Sequence, residues 1–321
     1  MMSKKNEPAE VRGLVFDIRR FSTHDGPGLR TTVFTKGCPL RCKWCQNPEG
    51  LDLVRKLCYF KNKCIGCGTC INVCPAKAIS RAAGENPASG HIAIDKRLCD
   101  LCGLCVEECP PQALAFDSKE MTVREVVDEL LKDEAFYGTS GGITLSGGDP
   151  FSQKEFTLEI LKERKRLGLH TAIETCLHVD RKTLEEFLPY IDLLIADFKV
   201  FDPELHRLYP GRDNTLIKDN FVYLFSNYFE EGKPDILVRI PLIPGYTATD
   251  KNLGEISRFL YSLSPRVRVE LINYNPLAQS KYTLMKKKFL FKKNPEMYKE
   301  DELERYDQIL AGEGIVNIVK R

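Results

Sequence analysis

The chain has 321 residues, with 47 Lys and Arg against 45 Asp and Glu and a formal net charge of +2. That length fits one large domain or two smaller ones, and the interspersed charges give no reason to expect nucleic acid as a partner. No apolar run is long enough to span a bilayer, and residues 1–7 lack the apolar core of a secretory signal, so no membrane association and a cytoplasmic location are expected.

In chain order, residues 13–18 and 30–35 have strand character, and the second run leads straight into Cys38-x3-Cys42-x2-Cys45. Three thiolates on one short loop can hold three irons of a [4Fe–4S] cluster. The missing fourth leaves one iron open to a non-protein ligand, and so to chemistry rather than simple electron transfer. A structural zinc site would ordinarily need four ligands.

Twelve of the thirteen cysteines lie between Cys38 and Cys109; only Cys176 falls outside. Without a secretory signal, such density with Cys-x2-Cys spacing points to metal clusters rather than disulfides. Cys64, Cys67, Cys70 and Cys74, followed by Pro75, repeat at the same spacing as Cys99, Cys102, Cys105 and Cys109, followed by Pro110. This is the bacterial two-cluster ferredoxin pattern, in which the fourth cysteine of each run serves the other cluster. Cys64, Cys67, Cys70 and Cys109 would then hold one cluster, and Cys99, Cys102, Cys105 and Cys74 the other. Cys58 stands outside the repeat and reads as a structural thiol. The stretch 54–117 is therefore expected as an α+β insert, with 1–53 and 118–321 forming one discontinuous core.

Beyond it, strand and helix alternate. Thr122 and Glu125 form a capping box ahead of a helix at 123–131. Strands are expected at 142–146, 170–174, 192–197, 236–240 and 267–273. Helices are expected from Ser152 to Gly168, and at 181–187, 216–229 and 253–263. Repeated βα units imply a parallel sheet, either a barrel or a doubly wound open sheet, with functional residues at the C-terminal strand ends. Polar residues stand there: Gly147-Gly148-Asp149, Glu174-Thr175, Asp197 with Lys199, and Arg239. Taken alone, Asp197 and Lys199 would read as a surface ion pair. Cys176, His178 and His206 read as structural, and the run Lys286-Lys287-Lys288 as a solvated face.

The blocks 24–30 (HDGPGLR) and 37–49 (GCPLRCKWCQNPE), with 141–148 (GGITLSGG) and 197–199 (DFK), closely resemble the glycyl-radical enzyme activating enzymes of the radical S-adenosylmethionine (SAM) superfamily. The resemblance covers nearly the whole chain. It implies a partial (β/α)6 barrel, here with an inserted bacterial ferredoxin-like domain. It implies that SAM chelates the open iron of the Cys38/Cys42/Cys45 cluster, beside the aromatic Trp44. Gly147, Gly148 and Asp149 would meet the SAM amino group, Asp149 standing where the family has a glutamate. Glu174, Thr175, Asp197, Lys199 and Arg239 would supply further SAM contacts.

The implied cofactors are three [4Fe–4S] clusters and SAM. The implied reaction cleaves SAM reductively and uses the 5′-deoxyadenosyl radical to take a hydrogen from a glycine Cα of a partner glycyl-radical enzyme. Reduced flavodoxin or ferredoxin would donate the electron, and no side chain need act as acid or base. The insert separates the chain from pyruvate formate-lyase activators. It groups it with activators of diol dehydratases, choline and isethionate lyases, hydroxyproline dehydratase and arylacetate decarboxylase. A radical SAM enzyme acting on a small molecule or another peptide shares the cysteine loops, and an electron-transfer module shares the insert.

Overall fold

The first two strands, β1 (Arg12–Ser22) and β2 (Arg30–Thr35), form an antiparallel pair whose second member is buried along its whole length. They belong to a computed structural model that describes residues 10–82, 90–229, 234–285 and 287–320. Residues 1–7, Lys286 of the basic run, and 83–89 of the expected insert lie outside the described residues.

Four short strands follow: β3 (Leu57–Tyr59), β4 (Ile79–Arg81), β5 (Ile92–Ile94) and β6 (Leu114–Phe116). They pair as two antiparallel ribbons, β3 with β6 and β4 with β5. Two one-turn helices, Thr69–Asn72 and Leu104–Glu107, each follow a glycine in the left-handed region. This stretch has its own small core of Cys70, Ile79, Ile92, Cys105 and Leu114.

The chain then rejoins the main sheet at β7 (Lys119–Thr122) and continues through β8 (Gly142–Gly147), β9 (Thr171–Thr175), β10 (Leu193–Asp197), β11 (Asp235–Pro241), β12 (Arg268–Ile272) and β13 (Asn317–Ile318). The sheet order is β13-β12-β11-β10-β9-β8-β2-β1-β7. From β2 to β13 the pairs are parallel, while β1 is antiparallel to both β2 and β7. A doubly wound sheet reverses its strand order at a switch point. Here β2, β8, β9, β10, β11 and β12 follow one another in chain order without reversal, as in an α/β barrel wall, and the sheet stays open because β13 and β7 do not pair.

Local chemistry explains most boundaries. The Thr122 hydroxyl accepts from Glu125 N–H and the Glu125 carboxylate accepts from Thr122 N–H, starting the helix Val123–Leu131. Asp180 caps Arg181–Phe187 through Thr183 N–H. The helix expected from Ser152 begins two residues later, at Lys154, because Asp149 first caps a 3-10 turn, Pro150–Gln153. Thr249 caps Asp250–Leu263, three residues ahead of the expected start. The sequence pattern did not announce β7, β13, or the helices Pro203–Leu208, Ala278–Leu284 and Glu300–Gly312.

Side chains alternate across the pleat. Ile143, Leu145, Ile173, Leu194, Ala196, Val238 and Val269 join the large core under the helices. Ala172, Leu193, Ile195 and Leu237 fill a separate cluster on the other face. The residues that continue this second face toward the C-terminal strand ends are polar, and they make the site.

Candidate functional site

Strand pairing sets the polar ring: Asp197 lies opposite Arg239, and Arg239 opposite Glu270. The Arg239 guanidinium is buried and fully used. Its Nε donates to Glu270 Oε2 at 2.6 Å, its Nη1 to Glu174 Oε1 at 2.9 Å, and its Nη2 to the His24 carbonyl. Glu174 Oε2 accepts from the Ser146 hydroxyl at 2.7 Å. Burial opposes ionisation of Glu174, but Arg239 and Ser146 outweigh it and hold the carboxyl below its usual range. Beside it, Lys199 Nζ lies 2.6 Å from Asp197 Oδ2. Burial disfavours the lysine's charge, yet Asp197 raises its pKa. The ring thus presents one fixed carboxylate and one fixed ammonium near a mouth lined with thiols.

Those thiols sit on the loop after β2. The loop is fastened by backbone bonds: Gly37 N–H to Gly50 O at 2.7 Å, Cys38 N–H to Leu51 O at 3.1 Å, and Arg41 N–H to Pro210 O at 2.6 Å. From outside, Lys281 Nζ donates to Gln46 O, Asn47 Oδ1 and Glu49 Oε1, and the Tyr282 hydroxyl donates to Cys45 O. Trp44 is buried against Tyr209 and Tyr246, with ring centroids 6.4 and 5.9 Å away. Cys38, Cys42 and Cys45 are free thiols. Burial pushes the Cys45 thiol up to about 12 and raises Cys42 as well, so neither ionises without a cation to hold.

Gly147 and Gly148 bring β8 against this loop. Gly147 has φ +120°, and a Cβ on Gly148 would fall 2.1 Å from the Gly37 carbonyl oxygen. Asp149 N–H donates to that same carbonyl at 2.6 Å. The Asp149 carboxylate, expected to face a ligand's amino group, is instead turned inward and only 2% exposed. It accepts from Phe151 N–H at 3.1 Å, and from the Thr175 hydroxyl and Cys176 N–H, both at 2.9 Å. A short side chain at the start of a 3-10 turn closes naturally on its own backbone. Burial raises its pKa despite these donors. Thr175 is therefore engaged within the protein too, and Cys176 is buried, its N–H held by Asp149.

The structure thus brings Cys38, Cys42, Cys45, Glu174, Asp197, Lys199 and Arg239 to one end of the sheet. The residues that sequence reasoning missed are Ser146, Glu270 and the His24 carbonyl, all partners of the ring. Their only signal was position on a predicted strand or in the block before the cysteine loop. His206, set aside as structural, is 1% exposed and bonds the Arg212 carbonyl through Nδ1 at 2.6 Å.

In the stretch 57–116, one pocket is lined by Cys64, Cys67, Cys70 and Cys109 with Tyr59 and Leu114. A second is lined by Cys74, Cys99, Cys102 and Cys105 with Leu57 and Phe116. Ala78 N–H donates to Cys74 Sγ at 3.3 Å and Ala113 N–H to Cys109 Sγ at 3.2 Å. Among the described residues no three His, Cys, Asp or Glu converge tightly enough to hold a single metal ion. A zinc site would need sulfurs at about 2.3 Å from one centre.

Residues 32–256 match the family model of the radical SAM superfamily. The chain is 39% identical over 284 residues to the isethionate sulfite-lyase activating enzyme of Oleidesulfovibrio alaskensis, covering 87% of this chain and 89% of that one. It is 39% identical to the trans-4-hydroxy-L-proline dehydratase activating enzyme of Clostridioides difficile, covering 86% and 89%. It is 38% identical to the benzylsuccinate synthase activating enzyme of Thauera aromatica, covering 85% and 81%.

Proposed function

The chain belongs to the radical SAM superfamily and, within it, to the activating enzymes of glycyl-radical enzymes; from that premise we propose how its own residues divide the work. Its reaction removes a hydrogen from a glycine Cα of a partner enzyme after reductive cleavage of SAM. The observation that carries the residue assignment is the convergence of three free thiols with a ring of fixed charges at the C-terminal strand ends.

The donor set fits the family's cluster: three half-buried thiols on one loop, two of them protonated unless a cation holds them. Cys38, Cys42 and Cys45 would bind a [4Fe–4S] cluster, which when bound supplies the electron that splits SAM into methionine and the 5′-deoxyadenosyl radical. The protein's part is to bind, orient and exclude water. Glu174, kept ionised by Arg239 and Ser146, suits the SAM amino group. Lys199, kept protonated by Asp197, suits the carboxylate. Asp197 would hold Lys199 in place and could meet the ribose, and Trp44, packed on Tyr209 and Tyr246, supports the loop. Gly147 and Gly148 allow the backbone to approach. Asp149 and Thr175 act one layer back. Through its bonds to Gly37, Phe151 and Cys176, Asp149 fixes the cysteine loop against the ends of β8 and β9. The family glutamate's ligand contact thus becomes, in this chain, a positioning contact.

We further propose that 54–117 is a ferredoxin-like domain holding two more [4Fe–4S] clusters. One would be on Cys64, Cys67, Cys70 and Cys109, the other on Cys99, Cys102, Cys105 and Cys74. Support comes from the sorting of the eight cysteines into two pockets in that crossed combination, with N–H groups aimed at sulfur. A reduced flavodoxin or ferredoxin is the proposed donor and the cytoplasm the proposed location. The relatives are named for different partner enzymes, so the partner is proposed only as a class.

The test is anaerobic incubation with SAM, a reductant and candidate glycyl-radical enzymes. A doublet radical signal on the partner, with 5′-deoxyadenosine formed, is the expected result. Formation of 5′-deoxyadenosine without a partner radical in any candidate would favour a small-molecule or other peptide substrate.

A further inference from the structure

The insert contains the same cysteine loop twice, and the two copies face different surroundings. β3 and β6 start at the core, where Lys36 Nζ meets Asp117 Oδ2 at 2.6 Å and Asp117 also bonds Lys56 N–H. Leu57 pairs with Phe116 next to this junction, and Tyr59 with Leu114 farther along. Leu57 and Phe116 line the pocket of Cys74, Cys99, Cys102 and Cys105, which is therefore the nearer one. Tyr59 and Leu114 line the other, which lies farther out.

The loop tips repeat this asymmetry. At the nearer loop, Arg55 lies 3.7 Å over the Phe116 ring and donates to the Leu101 carbonyl at 3.0 Å. Leu53, two residues before Arg55, packs on Gly37 beside Cys38. This loop is thus joined to the catalytic end of the core by a continuous run of contacts. At the outer loop, the Gly66 carbonyl is bonded by Arg81, from within the insert itself.

Chemistry separates the copies further. Ile65, next to Cys64, is 68% exposed, and the matching residue beside Cys99 is Asp100. Lys61, Lys63 and Arg81 stand exposed around the outer loop, with Glu108 the acidic residue lining its pocket. The one-turn helix of the nearer copy ends in Glu107, where that of the outer copy ends in Asn72. An exposed aliphatic tip ringed by like charges is the form of a small, steered contact: the charges speed encounter and the apolar residue anchors it.

We infer that the rim formed by Ile65, Lys63, Lys61 and Arg81 is the docking face for an acidic one-electron carrier protein, an inference that rests on the insert's thiols holding clusters. The face places such a carrier at the outer pocket, with the second pocket between it and the Cys38 loop.

The experiment uses the full-length, iron-loaded protein and an oxidised acidic flavodoxin as probe. Dissociation constants are measured by titration calorimetry at several salt concentrations, with iron and sulfide counted for every variant. Ile65→Glu, and separately Lys61→Glu/Lys63→Glu, which leaves the loop tip intact, should each weaken binding about tenfold or more. The double reversal should also flatten the salt dependence. Leu98→Glu/Lys96→Glu at the nearer copy should bind like the parent. With about twelve irons per chain retained, parental affinity in the outer variants, or weakening only in the nearer-copy variant, overturns the docking face. About four irons in the parent protein would instead overturn the cluster reading beneath it.

Discussion

The main sheet and the stretch 57–116 are stabilised in different ways. The sheet buries a continuous core, with Val33, Ile143, Ile160, Leu194, Val238 and Leu260 inaccessible to water, and its polar ring is paired internally. Among the described residues the stretch 57–116 buries seven apolar side chains, Cys70, Ala78, Ile79, Ile92, Cys105, Ala113 and Leu114, and two of these, Cys70 and Cys105, are themselves candidate ligands. A unit of that size cannot offset its chain entropy by burial alone, so its order is expected to depend on what the thiols hold. The site lies at the strand ends of the sheet: its charges are set by the sheet and its thiols by the loop after β2.

The largest effect expected from this contrast is on removing iron. Hydrogen exchange of chelated protein should show loss of protection across 57–116 while β8 to β11 stay protected. Uniform protection in both regions would remove the distinction. Next is the joint. Lys36 and Asp117 are 0% and 4% exposed, so Lys36→Met strands a buried carboxylate. A loss of about 3–5 kcal/mol in denaturant melts is expected, because breaking a buried pair leaves an uncompensated charge. A loss under about 1 kcal/mol would mean that Lys56 N–H and Ser118 suffice to hold Asp117.

Within the ring, Lys199→Met should remove a charge-assisted contact worth about 1.5–3 kcal/mol, weakening SAM binding roughly 10- to 100-fold in equilibrium dialysis. Iron content should not change. Unaltered SAM affinity would return Lys199 and Asp197 to the status of a plain ion pair.

The smallest effect sharpens the contrast through pH. Burial lowers the His206 pKa to about 4. Because the folded value is below the unfolded value of about 6.5, the histidine's contribution is fully present above the latter and lost as pH falls toward the former. The sheet region should lose about 2 kcal/mol between pH 7 and pH 5, and His206→Gln should flatten that slope. An unchanged slope in the variant would mean that another group titrates.

Much of this was legible in sequence where a residue has one local job. β2 and the helix Arg181–Phe187 fall where pattern and capping put them, and the Thr122–Glu125 box is formed as read. The strand-end positions of Glu174, Asp197 and Arg239 followed from alternation alone. What was not legible depends on pairing at a distance. The antiparallel direction of β1 leaves no mark in its residues, because side-chain alternation is the same in either direction. β13 is two residues long, too short to show a period. Ser146 and Glu270 look like ordinary strand residues until Arg239 reaches them. Asp149 kept its charge in sequence, but one missing methylene and a nearby 3-10 turn sent that charge inward.

The most direct test of the account is iron and sulfide quantitation after anaerobic reconstitution, with EPR of the reduced protein before and after adding SAM. About twelve irons per chain, with one of three signals altered by SAM, are expected. About eight irons and spectra indifferent to SAM would show that Cys38, Cys42 and Cys45 hold no open cluster, and would contradict it.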